Sequence, residues 1–418
     1  MPIEALSLTD AWLAGLIWRR VIISKYSQTP FQKIIMAKSF DCDILVVGAG
    51  PAGASAAKVL SENGCDVLVV DSKQFPRSKL CAGLITWKTL NVLQEIFQID
   101  RETLLSRGII HYHSRQYAIW NRHGPMVRGQ LEFPFHLVDR QLYDQFWLDM
   151  AQKAGAKLRL GDGVAEIEPV GSSVITHKGK RLKARVILGA DGALSRVRTG
   201  LMKSGMIRSN WARGLAFAIE GFVSRRDFQG FHDWPTIYFG FIPWGYAWSF
   251  PGPENQIVGI CGLQKKAGPN FGDYFKTFVK SLSIPNYRIL KIRGHPLPYG
   301  NYLKQPGYRN ILLLGDACGL ADPLLGEGIY YAHKSGQLAA AAVLNAYADY
   351  DTVSENYKKL LHQTLIPELG YIRIYRNIIF SLLGIRDFKP MAFFINKAQK
   401  AVEEAIQGQR SFKRLILP

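Results

Sequence analysis

Cysteine is scarce in this sequence, and that scarcity excludes several kinds of site. The five cysteines, Cys42, Cys65, Cys81, Cys261 and Cys318, form an odd set and contain no CxxC pair. Such a set argues against a disulfide framework, a zinc site and an iron–sulfur cluster. We therefore expect no metal site and a reducing, cytoplasmic location.

Long apolar runs are missing as well. No stretch of about 18 uncharged apolar residues occurs, so we predict no transmembrane helix. The first 35 residues are apolar but interrupted by Asp10, and their basic residues follow the apolar part, the wrong order for a secretory signal. They fit either a helix on a membrane surface or an extension upstream of a start at Met36, and we favour the second interpretation.

Acidic residues are few relative to basic ones. The 33 Asp and Glu stand against 52 Lys and Arg, a formal net charge of +19. This excess suits nucleic acid, an anionic membrane surface or phosphorylated small molecules. No nucleic-acid module is visible, so we expect no nucleic-acid partner. We predict peripheral contact with the inner face of an anionic membrane, in part through 376–395; the alternative is that these helices pack on the protein's own core.

A glycine-rich turn separates an apolar strand, Asp43–Val47, from a helix that ends near Gly64, and a second strand follows. In this β-α-β unit the "GAGPAG" glycines allow a tight turn, close approach of a pyrophosphate and close helix–strand packing. The helix N-terminus favours phosphate, and an acid ending the second strand can bind the ribose hydroxyls. The predicted nucleotide-binding residues here are Gly48, Gly50, Pro51, Ala52, Gly53 and Asp71.

Two later Gly/Asp turns, "GADGALSRVR" (Gly189–Arg198) and "GDACGLADPLLGEGI" (Gly315–Ile329), each follow an apolar strand. In the second, a carboxylate can accept hydrogen bonds from a sugar-alcohol chain, and a helix N-terminus can face an electron-rich ring. FAD uses both features, whereas NAD has no ribityl chain, so FAD is the predicted cofactor. The candidate residues are Asp191, Gly192, Gly315, Asp316, Pro323, Gly326, Gly328 and Ile329.

The stretch "WGYAWSFP" places Tyr246, Trp248 and Phe250 at alternate positions of a predicted strand. Alternate side chains of a strand share a face, so the three rings form one aromatic wall. The wall either lines an ordinary core or borders a substrate site, and the flavin motifs favour the substrate site.

The three glycine turns, in this order, resemble the FAD-dependent para-hydroxybenzoate hydroxylase superfamily. Within it, "FPRSKLCAG" (Phe75–Gly83) and "YAWSFP" (Tyr246–Pro251) resemble motifs of the geranylgeranyl reductase family. The resemblance covers roughly residues 41–350. It implies an α/β fold: a Rossmann-like FAD-binding domain with an inserted antiparallel β-sheet substrate domain and C-terminal helices. The predicted boundaries are 1–38 for the N-terminal extension, 39–115, 136–210 and 292–350 for the FAD domain, 116–135 and 211–291 for the substrate domain, and 351–418 for the helices.

The resemblance also implies a reaction: saturation of isolated C=C bonds in a polyprenyl chain carried on a diphosphate, pigment, lipid or quinone. Hydride would come from reduced flavin N5, with a separate proton donor, and NADPH or ferredoxin would supply the electrons. An unactivated alkene develops no oxyanion that an enzyme could stabilise, so catalysis depends on positioning the alkene and excluding water. The predicted catalytic residues are Cys81, Tyr246 and Trp248, and the predicted substrate residues are Cys81, Gly83, Tyr246, Trp248 and Phe250.

Two arginines are further cofactor candidates. Arg140 matches the superfamily arginine that reaches the FAD pyrophosphate, with a helix-surface ion pair as the alternative. Arg77, like its neighbour Lys79, would bind flavin phosphate or an anionic head group, with plain surface charge as the alternative. Cys81 would donate a proton or line the prenyl site, unless it is only a small buried hydrophobe.

Two other functions stay open. A monooxygenase or halogenase of the same superfamily is the first, because halogenases have a Trp-x-Trp-x-Ile-Pro strand similar to Tyr246–Pro251. A flavin-binding carrier or assembly factor without a substrate is the second, although intact Gly, Asp and Cys motifs argue against it.

Overall fold

A computed structural model describes residues 40–226, 230–284, 289–346, 349–384 and 397–415. The predicted N-terminal extension and residues 385–395 of the predicted membrane-contact segment lie outside the described residues. In the described part, every helix is too short or too polar to cross a bilayer.

The first sheet is built on parallel strands in the order β15-β16-β9-β1-β2-β6. Only the edge pair β15–β16 is antiparallel along this path, and β7 and β8 extend the sheet from β9 as an antiparallel hairpin. Its central strands are continuous apolar runs because parallel sheets are covered on both faces. The strands are β1 (Cys42–Val47), β2 (Val67–Asp71), β6 (Lys157–Leu160), β7 (Val164–Glu168), β8 (Ser173–Thr176), β9 (Arg181–Gly189), β15 (Gly307–Tyr308) and β16 (Ile311–Leu313).

The second sheet has the order β14-β10-β13-β12-β11-β4-β5-β3 and is antiparallel except where β11 runs parallel to β4. Most of its strands come from the segments 116–135 and 211–291 that the sequence places in a substrate domain. The β4–β5 hairpin extends beyond the first segment on both sides, β14 runs past residue 291, and β3 lies outside both segments. The strands are β3 (Leu84–Ile85), β4 (Ile110–Asn121), β5 (Gly124–Val138), β10 (Ala216–Ser224), β11 (Thr236–Tyr238), β12 (Gly245–Phe250), β13 (Asn255–Leu263) and β14 (Ile289–Leu297).

Helices follow the local signals in the sequence. α1 begins with Pro51 in its first turn, where a missing N–H costs nothing, and α4 begins after Asp139, whose carboxylate accepts from the N–H groups of Gln141 and Leu142. The described helices are α1 (Pro51–Glu62), α2 (Trp87–Phe97), α3 (Arg101–Ser106), α4 (Arg140–Lys153), α5 (Arg196–Lys203), α6 (Gln264–Ala267), α7 (Phe271–Ser281), α8 (Ile329–Leu344), α9 (Val353–Thr364), α10 (Ile366–Gly384) and α11 (Gln399–Gln407).

α1 and α8 lie against each other beside the first sheet. A Cβ on Gly336 of α8 would come within 2.3 Å of the Ala52 carbonyl oxygen of α1, so only glycine permits this approach. The contact fixes the N-terminus of α1 relative to the chain that leads into α8. The N-terminus of α1 and the chain that leads into α8 both carry predicted cofactor residues. The predicted Rossmann-like FAD domain fold, with the second sheet inserted and helices after it, is confirmed.

Candidate active site

The first glycine turn joins β1 to α1 and is fixed by close backbone contacts. Gly48 has φ +105°, and a Cβ there would lie 2.4 Å from the Ala190 carbonyl oxygen. A Cβ on Gly53 would lie only 1.9 Å from the Gly48 carbonyl oxygen. Both positions therefore require glycine, as the sequence pattern predicts.

Asp71 closes β2 beside this turn and is 9% exposed. One carboxylate oxygen accepts the Ala49 N–H at 2.8 Å and the other accepts the Lys73 N–H at 2.8 Å. These bonds hold the carboxylate at the end of the strand. Each oxygen has further lone pairs, so Asp71 can still accept from ribose hydroxyls.

The second turn follows β9 and contains an incompletely paired acid. Asp191 Oδ2 accepts the N–H groups of Arg196 at 2.6 Å and Val197 at 3.3 Å, whereas the buried Oδ1 has no hydrogen-bond partner among the described residues. Burial raises the pKa of this carboxyl. Arg198, which is 3% exposed, donates to the Ala193 carbonyl at 2.8 Å and to the Ala317 carbonyl at 3.1 Å. It thereby joins the second turn to the third.

The third turn leads from β16 into α8 and is held from several sides. Asp322 Oδ1 accepts the N–H groups of Leu324 at 2.7 Å and Leu325 at 2.8 Å. The Tyr246 hydroxyl, from the aromatic strand, donates to the Leu325 carbonyl. Tyr246 therefore fixes the turn that opens α8.

Glu327, inside this turn, is bound by side chains of α2 and of Thr86, the residue before α2. Its carboxylate pairs with the Lys88 ammonium at 2.6 Å and accepts from the hydroxyls of Thr86 at 2.9 Å and Thr89 at 3.3 Å. Both charged side chains are about nine-tenths buried, with exposures of 12% for Lys88 and 10% for Glu327. These contacts hold Glu327 in place directly before the N-terminus of α8.

The three turns converge on one cavity of about 530 Å³. This volume lies within the range of about 300–1,000 Å³ usual for cofactor pockets. Gly53, Gly315 and Pro323 are predicted cofactor residues that do not line it. The predicted residues that do line it are Gly48, Gly50, Pro51, Ala52, Asp71, Arg77, Cys81, Arg140, Asp191, Gly192, Asp316, Gly326, Gly328 and Ile329.

The lining suits a flavin dinucleotide. The first N–H groups of α1 have no partner within the helix and its first turn carries no acid, so they can receive a pyrophosphate. The unpaired Asp191 Oδ1 and the Asp316 carboxylate offer acceptors for hydroxyl groups. A Cβ on Gly50 would already meet Arg77 Nη2 at 3.3 Å, so a larger residue would fill the space above the helix N-terminus.

The two predicted arginines share one buried acid. Arg140 donates to Asp144 at 2.8 Å and Arg77 Nη2 lies 3.1 Å from the same carboxylate, which is fully buried. Arg140 is itself 8% exposed, so the ion pair is inside the cavity wall and not on a helix surface. The Asp144 charge raises the pKa of Arg140 against the opposing effect of burial.

Lys79 and His295 form a second polar group of the wall. Lys79 Nζ lies 3.0 Å from His295 Nε2. Burial lowers the pKa of the Lys79 ammonium, an effect that Asp316 opposes and Arg140 reinforces. Burial, with the Lys79 charge, also lowers the pKa of His295 to about 4, so the imidazole is neutral. Cys81, which accepts the Gly83 N–H at 3.4 Å, lies beside Arg140.

The aromatic wall is buried, and its three rings lie outside the cavity lining. Tyr246, Trp248 and Phe250 are 7%, 5% and 8% exposed, and successive ring centroids are 5.9 Å and 6.5 Å apart. The three rings belong to one apolar cluster with Phe239 and with Phe380 of α10. Part of the predicted membrane-contact segment therefore packs on the core.

The cavity borders this cluster. Leu80, Leu297 and Ala321 line the cavity and also pack in the aromatic cluster. Gly83 lies away from the cavity lining; it has φ +74°, and a Cβ there would lie 2.4 Å from the Val138 carbonyl oxygen. The wall and the cavity are thus parts of one continuous region.

Sequence reasoning left out four residues that the structure brings to this region: His295, Asp144, Lys88 and Glu220. Glu220, on β10, is 3% exposed and its Oε2 has no partner among the described residues. Burial raises the pKa of this carboxyl to about 7, although Arg140 and Lys79 act in the opposite direction. The sequence signal that could have identified Glu220 is a charged residue inside the otherwise apolar stretch "LAFAIEGFV".

A model of the FAD-binding domain matches residues 41–213. An uncharacterised protein of Methanosarcina barkeri is 30% identical over 371 residues, covering 86% of this chain and 90% of that protein. A digeranylgeranylglycerophospholipid reductase of Methanosarcina acetivorans is 26% identical over 361 residues, covering 81% and 85%. A geranylgeranyl diphosphate reductase of Rhodobacter capsulatus is 28% identical over 318 residues, covering 72% and 75%.

Solved structures agree on the fold. A geranylgeranyl bacteriochlorophyll reductase-like protein of Thermoplasma acidophilum superposes with a TM-score of 0.71 at 19% identity, covering 90% of this chain and 95% of that one. A flavin-dependent brominase superposes with a TM-score of 0.68 at 16% identity, covering 90% and 97%. At these identities the superpositions establish architecture alone, which both enzyme types share.

Proposed function

The chain belongs to the geranylgeranyl reductase family of FAD-dependent oxidoreductases, and on that premise we propose that it saturates isolated C=C bonds of a polyprenyl chain. The observation that carries the proposal is the continuity of two surfaces. The cavity formed by the three glycine turns shares Leu80, Leu297 and Ala321 with the aromatic cluster. A cofactor in the cavity and an apolar chain along the rings would therefore meet.

Bound FAD, once reduced, would supply the two electrons of the reaction as a hydride. The chain's residues would hold it: the α1 N-terminus at the pyrophosphate, Asp71 at the adenosine ribose, and Asp316 at the ribityl chain. The turn ending at Gly328 would present the first N–H groups of α8 to the ring system. We propose NADPH or ferredoxin as the electron donor.

The aromatic strand would position the alkene and exclude water. Trp248 and Phe250 present apolar ring faces, and Tyr246 is held by its bond to the Leu325 carbonyl. Burial raises the pKa of Tyr246 well above its ordinary value, so the phenol stays neutral. Such a wall fits a neutral, apolar chain, and its ring faces favour any positive charge that develops as the alkene is protonated. We propose Cys81, which lines the cavity, as a further substrate contact.

The proposal extends to the chemical class of the substrate's head group. Relatives named above act, by name, on a glycerophospholipid and on a diphosphate. We propose a substrate of this prenylated class, fetched from lipid by a protein that touches the inner face of an anionic membrane. The net charge of +19 supports that contact.

The test is anaerobic reduction with defined substrates. The FAD-loaded protein would be reduced with dithionite and mixed with geranylgeranyl diphosphate, a digeranylgeranyl glycerophospholipid or menaquinone. Mass spectrometry should detect products heavier by two hydrogens per bond. Trp248→Ala should raise KM for the prenyl substrate, whereas Trp234→Ala, outside the aromatic cluster, should not. Absence of any saturated product from a fully yellow protein would refute the proposal.

The halogenase or monooxygenase alternative must also be tested, because the brominase shares this fold. A requirement for oxygen distinguishes it from the reductase. A reductase forms its product without oxygen, whereas the alternative enzymes consume oxygen to form theirs. A product that requires oxygen would therefore replace the proposal with that function.

A further inference from the structure

Glu220 and Trp248 lie in one row across three strands of the second sheet. Glu220 on β10 pairs with Gly259 on β13, and Gly259 pairs with Trp248 on β12. Directly paired residues project from the same face of a sheet. A Cβ on Gly259 would lie 2.3 Å from Trp248 Cζ2, so the indole crosses over this glycine toward β10. The acid is therefore on the face that carries the aromatic wall.

Both side chains keep an unpaired polar atom in this buried row. Glu220 Oε2 and Trp248 Nε1 have no hydrogen-bond partner among the described residues, although the side chains are only 3% and 5% exposed. An unpaired buried carboxyl is costly and is retained in proteins mainly where it has a task. With its pKa raised to about 7, Glu220 can both hold and release a proton near neutral pH.

Lys79, a residue of the cavity wall, acts on this acid through its charge. His295 Nε2 holds its Nζ at 3.0 Å. His295 lies two residues from Arg293, the β14 partner of Glu220, and the Arg293 guanidinium donates to Ser78. Among the described residues, the titratable and charged groups around Glu220 are Arg140 on α4, Lys79 on the loop before β3, Cys261 on β13, and Arg293 and His295 on β14. Cys81 interacts with Lys79.

Resting on the proposed function, we propose that Glu220 is the proton donor of the reduction. Reduced FAD, when bound, would supply the hydride for one new C–H bond. The O–H bond of the Glu220 carboxyl breaks as the other alkene carbon gains its proton. The Glu220 carboxylate finally takes a proton from solvent. Lys79, which His295 Nε2 holds at 3.0 Å, keeps a positive charge that favours the Glu220 carboxylate left by the step.

The first measurement needs no substrate. A change of charge beside the cavity should alter the absorbance of bound oxidised FAD, so the FAD-loaded full chain is titrated between pH 5.5 and 9. We expect a transition near pH 7 that Glu220→Gln abolishes. Lys79→Met leaves the acid in place but removes a positive charge that lowers its pKa, so the transition should move to higher pH. Glu254→Gln, on the exposed β12–β13 turn, is the matched control and should keep the original transition.

The second measurement is a single turnover of the reduced enzyme with prenyl substrate at each pH. The wild-type rate should fall as pH rises through about 7, because Glu220 loses its proton. Glu220→Gln should be slower by about 100-fold, the usual size of general acid–base effects, and independent of pH in this range. A Glu220→Gln variant with the wild-type absorbance transition and pH–rate profile would overturn the inference. If the wild type saturates no prenyl substrate, the proposed function fails and this inference fails with it; if the wild type saturates a prenyl substrate and Glu220→Gln does so at the same rate, only the inference fails.

Discussion

Replacing Glu220 by glutamine should stabilise the protein increasingly as pH rises. Burial raises the pKa of this carboxyl from an ordinary 4.5 to about 7 in the folded state. The folded pKa is the higher one, so the folded protein holds the proton more tightly than the unfolded chain does. The stability gained from this tighter proton binding is complete below about pH 4.5 and is lost as pH rises through 7. Each pKa unit corresponds to about 1.4 kcal/mol, so ionised Glu220 costs about 3 kcal/mol above pH 8. Glutamine keeps the shape and removes this cost.

The assay is urea unfolding of the FAD-loaded full chain at pH 5.5 and pH 8.5, followed by circular dichroism and flavin fluorescence. The free energy of unfolding of Glu220→Gln minus that of the wild type should increase between these values by about 2–3 kcal/mol. Glu254→Gln, which changes an exposed carboxyl, should give a difference that stays constant. An equal Glu220→Gln difference at both pH values would refute the argument, because it would mean that Glu220 ionises as an ordinary exposed acid.

Three further substitutions test other parts of the site. Gly53→Ala places a Cβ 1.9 Å from a backbone oxygen, so the first turn must shift and FAD affinity, measured by flavin fluorescence, should fall by about tenfold or more. Gly259→Ala collides with Trp248 at 2.3 Å and should raise KM for a prenyl substrate while FAD affinity stays unchanged. Lys88→Met leaves Glu327 buried and unpaired, which should lower the free energy of unfolding by about 3 kcal/mol in urea titrations.

Matched controls separate these effects from general damage. At Gly272 a Cβ would meet no atom of the described residues within 4 Å and the backbone φ is ordinary, so Gly272→Ala should change neither FAD affinity nor KM. Lys157→Met removes a surface pair with Asp66 whose side chains are 65% and 42% exposed, and it should cost less than about 1 kcal/mol. Unchanged FAD affinity in Gly53→Ala, unchanged KM in Gly259→Ala, or a Lys88→Met as stable as Lys157→Met would contradict the corresponding account.

The sequence determined the parts of this protein that depend on short-range spacing. Gly48, Gly50 and Gly53 specify a strand–turn–helix by themselves, because the tight turn and the close start of the helix depend on residues only a few positions apart. Alternation alone placed Tyr246, Trp248 and Phe250 on one face, since a strand has a period of two. The carboxyl ends of adjacent parallel strands meet at one edge of a sheet, so three such turns also predicted a shared cofactor site.

Only the tertiary structure decided which distant groups meet. The row of Glu220, Gly259 and Trp248 depends on the register of three strands, and strand register follows from turn geometry and burial across the whole sheet. The sharing of Asp144 by Arg77 and Arg140 likewise joins a loop to a helix that is far away along the chain. A pattern of residue types carries no information on such long-range pairs, and burial, which sets the pKa of Glu220, exists only once the chain has folded.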